Sequence, residues 1–263
     1  MNMKKIATMA TCMALVGAVA VGGTLALVTR NDSITNTFVV GEGFPGDQDG
    51  KTFFYVDEAT VKMNTVTGDW EAVNAGENRT QKNQTYGPGE GVSANWKVVG
   101  NSTLFKDPTF HLDGTLLQEG ESAPAAYVVA YIDWANESEA NKKFYNIYNT
   151  TESSKWYKIE EDGTATKVTK ATEMAEGYYL YLDSLTATKG QTVDTEALFN
   201  EVKVANDVAE NSTVNLNVYG VAVEKAPGMV DLTNETLEAN KAQVKALYDT
   251  AATVINGQLS GQA

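Results

Sequence analysis

Apolar residues in this chain return again and again at every second position, and that period constrains its fold more than any other feature. It runs through residues 51–62 (KTFFYVDEATVK), 92–99 (VSANWKVV), 127–134 (YVVAYIDW), 177–182 (GYYLYL), 198–204 (LFNEVKV) and 214–223 (VNLNVYGVAV). Successive side chains of an extended segment point to opposite faces, so a period of two marks strands. The runs are rich in Val, Tyr, Phe and Thr, which suit a pleated surface. Turn signals separate them: Gly46-Asp47-Gln48-Asp49-Gly50, Gly87-Pro88-Gly89, Asp113-Gly114, Glu161-Asp162-Gly163, Lys189-Gly190 and Asn211-Ser212. No helical run alternates with the strands, as a parallel sheet would require. The pattern therefore predicts a mainly β chain, an antiparallel β-sandwich of jelly-roll-like form.

One helix interrupts the pattern near the end. Across residues 233–256 (TNETLEANKAQVKALYDTAATVIN), Leu237, Val244, Leu247, Ala251, Val254 and Ile255 recur at helical spacing and form one apolar stripe. Thr233 is a suitable cap, Glu235 and Glu238 suit the positive N-terminal end, and Gly257 is a suitable stop. The expectation is a C-terminal α-helix whose stripe packs on the sandwich edge. A weaker helical signal covers 136–146 (NESEANKKFYN), with a surface insertion as its alternative.

The N-terminus is of a different kind. Lys4 and Lys5 precede an uncharged stretch, residues 6–28, rich in Ala, Val, Leu, Met and Gly. Such a stretch enters a membrane with its lysines on the cytoplasmic side. Its length suits a span of about 20 residues. Gly17, Gly22 and Gly23 weaken a helix there, and Thr24 and Ala26 place small residues where a signal peptidase reads them. Cleavage between Ala26 and Leu27 is the expectation, and an uncleaved anchor is the alternative. Either way, the residues after Leu27 are exported.

The predicted organisation is a hydrophobic signal helix at 1–26, a β-sandwich domain at 27–230, and a C-terminal amphipathic helix and tail at 231–263. The membrane is met only through the uncleaved signal segment. Removing 26 of the 263 residues leaves 237, enough to bury a core without staples. The one cysteine, Cys12, lies in the removed segment, so disulfides and thiol catalysis are not expected in the exported part. Loss of Lys4 and Lys5 takes the formal charge from −14 to −16, which argues against nucleic acid and anionic lipid as partners.

Catalytic patterns are scarce. His111 is the only histidine, and a zinc-protease helix needs two. Its flank, residues 107–112, has the look of a strand, which makes it a structural or exposed strand histidine. The sequence GPGEG at 87–91 lacks the lysine and the following helix of a phosphate loop, and is a turn. Asp47 and Asp49 open like a calcium loop, but the twelfth position is Glu58, with a predicted strand intervening. Calcium there is disfavoured, no cofactor is expected, and no particular carboxylate pair suggests glycoside hydrolysis. The chain is not expected to be an enzyme.

The run LVGAVAVGGTLALVTRNDSITNTFVVGEG at 15–43 resembles the N-terminus of the TasA and camelysin family, exported biofilm-matrix proteins of Gram-positive bacteria processed by the signal peptidase SipW. The likeness rests on Lys4-Lys5, on Gly22-Gly23-Thr24-Leu25-Ala26, and on Asn36-Thr37-Phe38-Val39-Val40-Gly41. Scattered fragments beyond, such as Tyr86-Gly87-Pro88-Gly89 and Lys106-Asp107-Pro108-Thr109-Phe110, are similar too. The resemblance implies a secreted jelly-roll subunit of extracellular fibres, self-assembling with identical copies and with a possible accessory matrix protein. Within residues 27–40, Ile34, Phe38 and Val40 sit at even spacing around Asn36 and Thr37. Freed by cleavage, this stretch suits a donor strand that completes a neighbour's sheet.

Two other classes stay open. One is a non-fibrous surface or adhesion protein with Trp134, Trp156, Tyr157, Tyr178 and Tyr179 as a ligand surface, although aromatics at strand spacing are more often core. The other is the metalloprotease activity attached to the camelysin name, which the single histidine disfavours.

Overall fold

The computed structural model describes residues 26–28, 38–40, 53–59, 61–64, 66–72, 79–81, 100–134, 138–208 and 216–261. The expected signal helix before residue 26, the expected strand at 92–99 and the turns at 46–50 and 87–89 lie outside them. In chain order the strands are β1 (Ala26–Val28), β2 (Phe38–Val40), β3 (Phe54–Ala59), β4 (Val61–Met63), β5 (Trp70–Ala72), β6 (Arg79–Gln81), β7 (Thr103–Phe105), β8 (Thr109–Asp113), β9 (Ala126–Asp133), β10 (Tyr145–Tyr148), β11 (Trp156–Ile159), β12 (Ala165–Lys167), β13 (Glu173–Met174), β14 (Gly177–Tyr181), β15 (Thr192–Asp194), β16 (Glu201–Val204) and β17 (Asn217–Glu224). The helices are α1 (Glu139–Lys142) and α2 (Lys241–Gly261). The chain is mainly β with antiparallel sheets, as its period predicts; among the described residues only the β5–β7 contact is parallel.

Three sheets surround one core. Their strand orders are β12-β11-β14-β9-β17, β15-β8-β3-β6 and β13-β10-β16-β7-β5-β4, with β1-β2 as a separate hairpin. The spine is the β9–β17 ladder, paired from Asn217↔Asp133 to Glu224↔Ala126. Alternation in β9 explains its near-continuous apolar sequence, because both faces are covered. Ala126, Val128, Ala130 and Ile132 point into the core shared with Phe54 and Val56 of β3, Phe110 and Leu112 of β8, and Ile147 of β10. Tyr127 and Val129 point the other way, into a second core under α2.

That second core corrects the expected docking of the helix. The stripe residues Val244, Leu247, Ala251, Val254 and Ile255 are all buried, but against the outer face of the five-stranded sheet, over β9 and β17, rather than on its edge. Tyr127, Val129, Leu180 and Val221 present a wide apolar face there, and covering it removes far more area from water than an edge contact would. The start and stop differ as well. Turns cover 234–237 and a 3-10 segment Glu238–Asn240 precedes the helix, while Gly257 lies inside it and the helix runs on to Gly261.

The helical signal at 136–146 is mostly corrected. A single turn, Glu139–Lys142, gives way to β10, in which Tyr145 and Ile147 are buried and alternate with half-buried Asn146 and Tyr148. Four residues of that strand pair with β16. Ladder bonds and two buried side chains there outweigh a short charged helical face.

Candidate functional site

The hairpin β1–β2 carries four of the residues singled out for processing and assembly, Ala26, Leu27, Phe38 and Val40. Its register pairs Ala26 with Val40, Leu27 with Val39 and Val28 with Phe38. The peptide between Ala26 and Leu27 therefore lies within a ladder, opposite the C-terminal end of β2. Thr24, Ile34, Asn36 and Thr37 lie outside the described residues. β2 also approaches β17 within 8 Å, Cα to Cα.

β17 is the edge of the five-stranded sheet; among the described residues its ladder partner is β9. An edge strand offers a row of N–H and C=O groups to whatever lies beside it. Here the row is eight residues long and mostly apolar in side chain, with Val218, Tyr219, Val221 and Ala222 buried. Gly220 sits in its middle, and a Cβ there would lie 2.2 Å from Cε1 of Phe110. The missing side chain lets the Phe110 ring of β8 press against the backbone of the edge strand.

A buried polar cluster lies on the four-stranded sheet. His111 of β8 pairs in register with Tyr55 of β3 and Asp194 of β15, so all three side chains share one sheet face. Its ring stacks on Tyr55 at 4.6 Å between centroids. Nε2 is 2.8 Å from Oδ1 of Asp57 and Nδ1 is 2.6 Å from Oδ1 of Asp194. A neutral imidazole has one N–H, and only the imidazolium donates to both carboxylates. Burial opposes that charge, but the hydrogen bonds and charges of Asp194 and Asp57 outweigh it and hold the ring's pKa above its ordinary value.

Further along β3, Glu58 pairs with Lys106 at 2.8 Å, and the Ala59 N–H donates to Asp107 Oδ1 at 2.7 Å. Glu58, the twelfth position counted from Asp47, thus pairs with a lysine; Asp47 and Asp49 lie outside the described residues. Asp57 and Asp194 take opposite ring nitrogens and do not converge on one point. Among the described residues, no three His, Cys, Asp or Glu side chains are placed to hold a metal ion.

The aromatic residues considered as a ligand surface are core. Trp134, Trp156, Tyr157, Tyr178 and Tyr179 are all buried. Three of them use their polar atoms internally: Trp156 Nε1–H donates to the Glu196 carbonyl at 3.1 Å, Tyr179 O–H to the Ala175 carbonyl at 2.7 Å, and Tyr157 O–H to Asn234 Oδ1. Tyr178 lies between Tyr131 and Tyr248, and burial pushes its phenol up to about 12.

Sequence reasoning missed the neighbour of β2 and both partners of His111. The signal for one was present: Asp57 is a charged residue inside an apolar strand, and a buried carboxylate needs a donor. No signal pointed to Asp194. No family model, curated protein or solved structure matches the chain.

Proposed function

We propose that this chain is an exported structural subunit of extracellular fibres in a biofilm matrix, a jelly-roll-like member of the TasA and camelysin group. A signal peptidase cuts after Ala26, and the segment beginning at Leu27 then serves as a donor strand between identical subunits. The observation that carries this reading is the position of β2, which holds Phe38 and Val40, alongside the edge strand β17. An extended segment within 8 Å of its own sheet edge stands close to the place that a neighbour's donated strand would take.

The exchange is economical in contacts. A strand added to an edge gains ladder bonds from it, and head-to-tail donation that does not close into a ring grows a filament. Before cleavage the segment is tethered to the membrane, which hinders assembly. An accessory matrix protein is a further candidate for the same edge. The adhesion reading loses support because its proposed aromatic surface is buried.

The first test is the N-terminal sequence and mass of the protein recovered from medium and cell surface. A start at Leu27 supports the reading, and a start at Met1 with membrane retention removes its physical basis. The second is the double substitution Ile34→Asp with Phe38→Asp. The expected result is a folded monomer by circular dichroism and no fibres by electron microscopy, and persistent fibres would sink strand donation.

A further inference from the structure

We propose that the Asp57–His111–Asp194 cluster is a proton-operated latch on β15: protonated His111 pins this edge strand to the sheet, and loss of the proton frees it. The observation is a histidine with a carboxylate on each ring nitrogen, one from each neighbouring strand. Only the doubly protonated ring can donate to both. When the proton leaves, one nitrogen turns a lone pair toward a carboxylate, and that contact becomes repulsive.

Which contact is lost depends on exposure. The side chain of Asp57 is 7 % exposed, and that of Asp194 is 50 % exposed. Asp194 can turn to water at little cost, so the neutral ring keeps its N–H on Asp57 and the break falls on β15. That strand is lightly held. It is three residues long, its ladder partner among the described residues is β8, and it lies at the edge of its sheet. The next residue adds two bonds, Thr195 N–H to the Phe110 carbonyl at 2.9 Å and Phe110 N–H to Thr195 Oγ1 at 3.1 Å.

Among the described residues, the other polar groups near the ring have these contacts. Tyr55 stacks on it from β3. Asp113, two residues along β8, accepts from Thr115 N–H at 2.9 Å and from Thr192 Oγ1–H at 3.3 Å. Glu58 is paired with Lys106. The folded ring titrates above its ordinary value of 6.5, so the latch is fully closed below that value and loosens as pH rises from it to the folded pKa. Opening uncovers the outer ladder groups of β8.

The test is hydrogen exchange at the Thr195 amide of the 263-residue chain, followed against pH beside an NMR titration of its one histidine. Protection, corrected for the intrinsic base-catalysed rate, should fall about tenfold per pH unit above about 6.5 and level off past the histidine midpoint. Asp194→Asn should move that midpoint down toward 6.5 and flatten the fall. His111→Gln should abolish the fall; if it does not fold, Asp194→Asn still decides. Flat protection in the parent chain, a midpoint at or below 6.5, or an Asp194→Asn profile identical to the parent would each overturn the latch.

Discussion

Two glycines show how much a single absent methyl decides in this chain, and in opposite directions. Phe110 is fully buried, stacked on Phe54 at 5.8 Å and tilted against Trp156 at 5.9 Å, so its ring has no room to retreat from a new Cβ at Gly220. Gly220→Ala should destabilise the fold by about 1–3 kcal/mol, the usual range for overpacking. A lower denaturation midpoint would show it, and adding Phe110→Leu should recover part of the loss. Gly257 is the reverse case. It lies within α2 with nothing within 4 Å of where its Cβ would stand. Alanine there removes backbone freedom from the unfolded chain without a clash, so Gly257→Ala should add about 0.5–1 kcal/mol. A raised urea midpoint at unchanged slope is the check.

At the scale of elements, burial decides and surface charge hardly matters. Leu247 of α2 is 1 % exposed in the second core, and Leu247→Ala should cost about 2–5 kcal/mol. Lys245 bonds to both oxygens of Asp249 one turn on, at 2.8 and 2.9 Å, but both side chains are about half exposed. Lys245→Ala should leave the denaturation midpoint almost unchanged, because solvent screens the pair. Comparing the two denaturation curves tests the ranking. The same contrast explains what was legible in the sequence. Every apolar stripe residue from Leu237 to Ile255 is buried, and the long runs at β3, β9, β14 and β17 are strands, since burial writes its period into any element of about five residues or more. Strands such as β5, β7, β12 and β15 are three residues long, too short to show a period. The landing face of α2 was hidden because it depends on which strands become neighbours. His111 was legible as a strand residue, but its partners stand 54 and 83 positions away and are joined to it only by sheet order.

For the whole molecule, the proposed strand donation sets a backbone ladder that would draw subunits together against a net charge that pushes them apart. The proposed cleavage would remove Lys4 and Lys5 and leave each subunit at −16, where the whole chain carries −14. Donor-strand pairing is made by uncharged N–H and C=O groups and apolar side chains, so salt does little to weaken it. The repulsion between approaching subunits is screened over about 8 Å at 0.15 M salt. Fibre growth should therefore speed up several-fold between low salt and about 0.3 M NaCl, with the gain falling mainly on the rate of association. Light scattering for the rate and electron microscopy for the product would measure it. Slower growth with added salt would mean that opposite charges steer the contact, and strand donation would then no longer account for assembly. The salt effect should also persist on both sides of the His111 titration, because it arises from the carboxylates spread over the chain and not from the one imidazole in it.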